Sequence, residues 1–145
     1  MPRTYTKILI HCVFSTKHRR PTIRQPERVW KMIREIARNL KVDIPAIGGT
    51  SNHVHILIAL PANRSLADIM RDVKANSSLV LREENRNFRW QDGYSAISLG
   101  PSAIAAVVRY IQHQEQHHKT RDFDREYISM LERAGIAYAP EYVLE

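Results

Sequence analysis

The chain has 145 residues, an ordinary length for one domain, and 43% of them are hydrophobic, which is enough for a buried core. Lysine and arginine number 22 against 15 aspartates and glutamates, and this net charge of +7 favours a polyanionic partner, above all nucleic acid. The single cysteine, Cys12, excludes an internal disulfide, and no window approaches the length of an apolar membrane span. We expect one domain over residues 1–145, no membrane association and a reducing, cytoplasmic location. A basic protein without a polyanionic partner is the alternative.

The first half of the chain predicts a strand, a helix and a hairpin. Alternating apolar residues indicate a strand over Tyr5–Ser15. Pro26 suits the first turn of a helix, and apolar residues then keep helical spacing as far as Leu40. A short strand leads into the turn at Gly48-Gly49, and the strand that follows pairs back on it as a hairpin.

The second half predicts mainly helices. Ser65-Leu66-Ala67-Asp68 forms a capping box, which marks a helix start. The remaining predicted elements are a helix from Ser65 to about Glu84, a strand over Trp90–Leu99, a helix from Gly100 to about His118 and a helix over Asp122–Arg133. The order β-α-β-β-α-β-α-α indicates an α+β fold in which helices pack on one antiparallel sheet.

The most informative residues are His53-Val54-His55, at the start of the apolar run that ends at Leu60. Successive side chains of a strand point to opposite faces, so His53 and His55 share one face. Two imidazoles side by side on a strand are half of a metal site. The alternative is a pair of half-exposed surface histidines, although unpaired polar groups in so apolar a strand would cost stability.

A second polar group of residues lies on the third predicted helix. Tyr110 and Gln114 are four residues apart and therefore share a helical face. His113, His117 and His118 lie close by, and any of them can approach the strand histidines. Histidines near a helix C-terminus also interact favourably with the helix dipole, which is the structural alternative. The stretch does not match a zinc-protease helix, because no acidic base lies between two suitably spaced histidines.

Together these motifs resemble the single-tyrosine HUH transposases of small bacterial insertion sequences and their REP-associated relatives. The resemblance rests on a His-hydrophobic-His strand followed by a helix with Tyr-x-x-x-Gln, and it covers nearly the whole chain. The matching blocks are His11–Lys17, Gly48–Leu57, Trp90–Tyr94, Tyr110–His118 and Phe123–Tyr127, followed by the Tyr142-Val143 tail. Their order in the chain makes the resemblance more specific than His53-Val54-His55 alone.

The resemblance implies a ferredoxin/RRM-like HUH fold and a metal-dependent DNA transposase that cleaves and rejoins single-stranded DNA, at hairpin-bearing element ends. Tyr110 would be the nucleophile that forms a 5′-phosphotyrosine, and His53, His55 and Gln114 would hold the metal ion. The implied ion is Mg²⁺ or Mn²⁺, although two imidazoles and an amide oxygen favour Mn²⁺, Co²⁺ or Zn²⁺ over Mg²⁺. The implied assembly is a homodimer with composite active sites, in which each tyrosine helix meets the partner's histidines.

Three further assignments are open at this level. Lys17, His18, Arg19 and Arg20 are candidate contacts to the DNA backbone, with a solvated charged loop as the alternative. Trp90 and Tyr94 can stack unpaired bases or belong to the core. The rival functions are a non-catalytic single-stranded nucleic-acid-binding protein and a domesticated HUH nickase.

Overall fold

A computed structural model describes residues 3–118 and 122–143, apart from the side chains of His117 and Tyr142. Its centre is a four-stranded antiparallel sheet in the order β2-β3-β1-β4. The strands are β1 (Leu9–Ser15), β2 (Asp43–Gly49), β3 (His53–Ala59) and β4 (Ser95–Leu99). The helices are α1 (Pro26–Asn39), α2 (Leu66–Glu84), α3 (Ile104–Gln112), α4 (Gln114–His117), α5 (Phe123–Arg133) and α6 (Pro140–Val143). The predicted α+β fold with an antiparallel sheet and packed helices is confirmed.

One face of the sheet packs on α1 and α2 through an apolar core. Strand alternation directs Cys12, Phe14, Val54 and Ile56 to this side, where they join the buried residues of both helices. Pro26 occupies the first turn of α1, and the side chain of Ser65 caps α2 by accepting from Asp68 N, as the sequence predicts. Burial raises the pKa of the Cys12 thiol to about 12, so this thiol is unreactive at neutral pH.

The opposite face carries α3 and α5. A smaller apolar cluster of Leu9, Ala46, Leu57 and Ile111 seats α3 against the sheet. Gly48 makes this approach possible, because a Cβ on it would lie 2.0 Å from the carbonyl oxygen of Ile111. No helix within residues 3–118 and 122–143 has the length and hydropathy to cross a membrane.

Both of the longer strand predictions were too long at the N-terminal end. β1 begins at Leu9 rather than Tyr5, because Leu9 already pairs with Ala59 and Leu99, the last residues of the neighbouring strands. β4 begins at Ser95, because Trp90 forms only an isolated bridge with Thr16 and the chain turns between Trp90 and Ser95. Gly93 makes that turn with φ 82°, a left-handed conformation that favours glycine.

The third predicted helix is interrupted. α3 ends at Gln112, and the short α4 begins at Gln114, because His113 leaves the helical conformation with φ −112° and ψ 30°. The His113 ring donates through Nδ1 to the carbonyl oxygen of Arg109 at 2.7 Å, which holds the break. Tyr110 and Gln114 are therefore on two helical segments rather than one continuous face.

Candidate active site and metal centre

β3 presents two histidines to the face covered by α3 and α5. His53 and His55 point to this side, opposite Ser15 and Val13 of β1 in the strand register. Both imidazoles are fully buried, at 0% exposure, which excludes the surface alternative. Every polar ring nitrogen must therefore find a partner inside the protein.

The His53 ring is fixed from both ends. Its Nδ1 donates to Asn52 Oδ1 at 2.9 Å and lies 3.0 Å from Thr50 Oγ1. Its Nε2 lies 3.0 Å from Gln114 Oε1, so the loop before β3 orients the ring toward the α3–α4 break. Burial, with a contribution from His55, lowers the pKa of His53 to about 3, and a neutral imidazole is the form that binds metals.

The His55 ring lies between a histidine and a carboxylate. His11 Nε2 and His55 Nδ1 share a hydrogen bond of 2.9 Å, and the two rings stack with centroids 5.1 Å apart. Burial and the neighbouring His55 lower the pKa of His11 to about 3. On its other side, His55 Nε2 donates to Glu126 Oε1 at 3.0 Å. His11 therefore positions His55 from behind, as a partner of its second ring nitrogen.

Glu126 of α5 is the residue that sequence reasoning missed. Its carboxylate is 4% exposed and lies 3.0 Å from His55 Nε2, 3.9 Å from His53 Nε2 and 3.2 Å from His118 Nε2. Burial by itself raises the pKa of this carboxyl, but hydrogen bonds from His55 and Tyr110 and the nearby histidines outweigh burial and hold the pKa at about 2. Glu126 is therefore an anion at the centre of the site.

One signal in the sequence could have identified Glu126. Phe123 and Glu126 are three residues apart at the start of α5, so they share one helical face. Leu131 is also buried on this helix, which places a carboxylate on an inward-facing side. A glutamate at such a position needs a buried partner, and the histidines of β3 are the partner that the fold supplies.

Tyr110 lies beside His55 and His11. Its ring centroid is 5.6 Å from that of His55 and 6.3 Å from that of His11, both in edge-on orientation. The break at His113 brings Gln114 back toward it, since Gln114 Nε2 donates to the carbonyl oxygen of Tyr110 at 3.2 Å. The structure thus brings together the four residues that the sequence singled out for chemistry, Tyr110, His53, His55 and Gln114.

The donor set fits a divalent metal ion. His53, His55 and Glu126 offer ligand atoms that all lie within 4.8 Å of one another, and Gln114 adds an amide oxygen at 3.0 Å from His53 Nε2. Neighbouring ligand atoms that each lie about 2.1 Å from a shared ion are about 3.0 Å apart. This is the distance from His53 Nε2 to Gln114 Oε1 and from His55 Nε2 to Glu126 Oε1. Imidazole with oxygen donors suits Mn²⁺ and related ions. His118 also lies beside this group, with Nε2 3.2 Å from Glu126 Oε2 and its ring centroid 4.5 Å from that of His53. The His117 side chain, another candidate, lies outside the described residues.

The basic segment after β1 divides into two parts. His18 and Arg19 both have φ 57°, and this tight turn directs the basic side chains of the segment to two different sides. Lys17, His18 and Arg20 line an open cleft with Arg89. Arg19 instead points inward, where it pairs with Asp124 at 3.0 Å and its side chain is only 12% exposed.

Comparison with known proteins places this chain in a family. The model of IS200-like transposases matches residues 4–114, a span that contains both strand histidines, Tyr110 and Gln114. The chain belongs to the IS200-like transposase family. The matched span ends at Gln114, so α5 and Glu126 lie beyond it.

Two curated transposases of the insertion sequence element IS200, from Salmonella typhimurium strain LT2 and Salmonella typhi, resemble this IS200-like transposase. Each is 30% identical over 120 residues, which cover 75% of this chain and 78% of the relative. Two solved structures share the fold. A candidate transposase from Deinococcus radiodurans R1 matches with TM-score 0.61 at 19% identity, over 79% of this chain and 96% of that one. A REP-associated tyrosine transposase bound to a REP hairpin matches with TM-score 0.59 at 18% identity, over 77% and 68%.

Proposed function

We propose that this IS200-like transposase cleaves and rejoins single-stranded DNA through a covalent bond to Tyr110, at hairpin-bearing ends of its element. The observation that carries the proposal is the position of the Tyr110 ring, 5.6 Å from His55, over a buried cluster of imidazoles and one carboxylate. Such a nucleophile beside a metal-binding group is typical of phosphoryl transfer. The substrate would be single-stranded DNA, and we propose that the protein acts on it in the cytoplasm.

In the proposed reaction the Tyr110 oxygen attacks a backbone phosphorus. The new O–P bond forms a 5′-phosphotyrosine as the P–O3′ bond breaks, the phenol proton passes to water, and the departing oxygen takes a proton from water to become a free 3′-OH. The phosphotyrosine keeps the energy of the phosphodiester, so rejoining is the reverse step and needs no ATP. Glu126 accepts a hydrogen bond from Tyr110 and positions its hydroxyl, but a carboxylate with a pKa of about 2 is too weak a base to deprotonate a phenol with a pKa of about 10.

We further propose that His53, His55 and Gln114 hold Mg²⁺ or Mn²⁺, with the Glu126 carboxylate as an additional oxygen donor. A bound divalent ion polarises the phosphate and stabilises the departing oxygen. The chain itself fixes the two imidazoles, through Asn52 behind His53 and His11 behind His55. Fixed imidazoles need no reorganisation when charge develops during the reaction.

The DNA strand is proposed to reach the site across the cleft of Lys17, His18, Arg20 and Arg89. Lys17 N donates to the carbonyl oxygen of Arg89 at 2.9 Å, which joins the two basic loops into one surface. This surface adjoins the end of β1, where Ser15 pairs with His53. The hairpin bound by the REP-associated relative supports a folded DNA end as substrate. Arg19 is not part of this proposal, because it is engaged with Asp124.

The decisive experiment tests for a covalent adduct. Labelled single-stranded oligonucleotides that carry the element's own ends are incubated with Mn²⁺ or Mg²⁺ and wild type or Tyr110→Phe, and the products are separated on a denaturing gel. We expect a protein–DNA band that requires both the metal and the Tyr110 hydroxyl. Equal DNA binding by both proteins with no band from either would favour the alternative, a non-catalytic binding protein. A nick without rejoining would favour a domesticated nickase.

A homodimer with composite sites stays a proposal, and the geometry sharpens its test. Tyr110 already lies beside the histidine pair of its own chain, so the site can also form within one chain. Tyr110→Phe and His53→Leu variants, each inactive alone, would be mixed after brief unfolding. Recovered adduct formation would show that one chain supplies the tyrosine and another the histidines. No recovery, with a dimer verified by sedimentation, would assign both to one chain.

A further inference from the structure

A cleft lined by aromatic residues lies beside the candidate active site. Three tyrosines, Tyr94, Tyr127 and Tyr138, line it together with Phe14 and Phe123, and we call this the tyrosine cleft. Its volume is about 300 Å³, at the small end of the range of about 300–1,000 Å³ for ligand sites, so it suits one small planar group. Tyr94 is 37% exposed, which leaves an open edge for entry.

The tyrosine cleft adjoins the histidine pair through shared residues. The Phe123 ring forms part of the cleft wall and also stacks on the His53 ring, with centroids 4.1 Å apart and planes 17° apart. Ser15 lines the cleft and pairs with His53 in the β1–β3 register. A group in the cleft is therefore separated from the metal-binding face of β3 by one aromatic ring.

The walls of the tyrosine cleft are held in place before any ligand arrives. Lys74 Nζ donates to the carbonyl oxygens of Gln91 and Gly93, at 2.7 and 2.6 Å, and so fixes the loop that precedes Tyr94. The Tyr138 hydroxyl donates to Glu132 Oε1 at 2.9 Å. Arg19 donates to the carbonyl oxygen of Val143 and thereby holds the last turn of the described chain across the cleft. Pre-formed walls lower the entropic cost of binding.

The lining selects the chemistry of the occupant. Aromatic faces attract a flat π-system, and Gln91 and Asp92, also in the lining, can hydrogen-bond its polar edge. A free phosphate does not fit, because Asp92 repels anions and Arg19 is already paired with Asp124. In single-stranded DNA, the group that combines a planar ring with donors and acceptors on its edge is the nucleobase.

We propose that the tyrosine cleft binds one unpaired nucleobase of the DNA strand, next to the phosphate that Tyr110 attacks. This inference rests on the proposed function, because that function supplies single-stranded DNA at the site. Stacking in the cleft anchors the strand beside His53 and sets which phosphate lies over Tyr110. The cleft is thus a determinant of cleavage position, separate from the basic loops that contact the backbone.

The test pairs protein variants with abasic DNA. Oligonucleotides carrying the element's ends, each with one abasic site at successive positions around the cleavage point, are measured for binding to Tyr110→Phe, which cannot cleave. At one position we expect base removal to raise Kd about 5- to 150-fold, the range for one stacked base. Adding Tyr127→Leu should weaken binding of the intact strand similarly but leave that abasic strand unaffected. Tyr5→Leu, at a tyrosine 86% exposed beyond the far end of β1, is the matched control and should change nothing.

Each outcome separates this inference from the proposed function. If Tyr127→Leu weakens the binding of the intact strand and of every abasic strand equally, the proposal that the tyrosine cleft binds a nucleobase is wrong, even if wild type forms the Tyr110 adduct. Coupling at one position without any adduct would support the cleft and overturn the cleavage proposal. If Tyr127→Leu fails to fold, Tyr94→Leu at the exposed rim carries the same test. A strand that binds neither wild type nor Tyr110→Phe at any metal concentration overturns both.

Discussion

The two faces of the sheet bury very different side chains. The face under α1 and α2 is almost wholly apolar, with residues such as Ile33, Ile56 and Val73 at 0–1% exposure. The face under α3 and α5 buries polar groups instead, namely His11, His53, His55, Gln114 and Glu126. Apolar burial stabilises a fold by about 25 cal/mol per Å², whereas a buried polar group costs free energy unless it is hydrogen-bonded. The apolar face therefore stabilises the fold, and this stabilisation offsets the free-energy cost of burying polar groups on the other face.

The polar face tolerates most of its buried groups because they hydrogen-bond to one another. His55 has a partner at both ring nitrogens, His53 donates through Nδ1 to Asn52, and Glu126 Oε1 lies 3.0 Å from His55 Nε2 and 3.9 Å from His53 Nε2. The small cluster around Leu57 and Ile111 adds apolar burial on this side, as do Phe123 and Leu131 of α5. Substitutions on the two faces should consequently have opposite effects on activity and stability.

The largest effect should come from His53→Leu, an apolar replacement on the polar face. We expect adduct formation to fall about 10³-fold, because a lost metal ligand removes several kcal/mol of transition-state stabilisation. Stability should fall by about 1–3 kcal/mol, because leucine leaves Asn52 Oδ1 and Thr50 Oγ1 without their imidazole partner. Adduct rates with Mn²⁺ and urea unfolding measure the two quantities. Activity within tenfold of wild type would remove His53 from the metal site.

Ile56→Ala, on the apolar face of the same strand, should show the reverse. Truncation of this fully buried side chain should lower the free energy of unfolding by about 2–5 kcal/mol through lost burial and a cavity. The adduct rate per folded molecule should stay within about twofold of wild type at a temperature where the variant is folded. A large fall in that rate would show that the two faces are not independent.

The sequence predicts the apolar face better than the polar one. Periodicity identifies α1, α2 and their core residues, because burial of apolar groups is the signal that periodicity reports. The His53-His55 pair is equally visible, since strand alternation alone puts both on one face. The helical spacing of Tyr110 and Gln114 was visible too, but their roles came only with the family resemblance, because Tyr-x-x-x-Gln by itself is a very weak signal.

What the sequence could not predict depends on long-range contacts. Glu126 lies 71 residues from His55, so the helical spacing that places it beside Phe123 does not show which residues α5 packs against. The break at His113 was also missed, since a ring-to-carbonyl bond to Arg109 ends α3 where helix propensity would continue it. The sequence also leaves open whether Trp90 belongs to the core; in the structure its indole donates to Ser77 Oγ in the core, whereas Tyr94 lies at the surface.

Gly48→Ala should affect stability and activity together, because Gly48 is where α3 contacts the sheet. The added methyl would lie 2.0 Å from the carbonyl oxygen of Ile111, so α3 must shift. We expect a loss of about 1–3 kcal/mol in stability and of about 10²-fold in adduct rate, since a displacement of about 1 Å misplaces Tyr110. Gly100→Ala, where an added methyl meets open space, is the control and should be neutral in both assays. An unchanged adduct rate in Gly48→Ala would show that the position of α3 on the sheet does not determine the reactivity of Tyr110.

The smallest effects, from two matched helix caps, give the finest comparison of the faces. Ser65 caps α2 by accepting from Asp68 N at 3.1 Å, and Asp122 caps α5 by accepting from Arg125 N at 2.9 Å. Replacing either by alanine should lower stability by about 0.5–2 kcal/mol. Only Asp122→Ala should also lower the adduct rate, by up to about fivefold, because the first turn of α5 carries Phe123 and Glu126 to the histidines. Equal adduct rates in the two variants would mean that α5 contributes packing alone, and Glu126 would then lose its place in the chemistry.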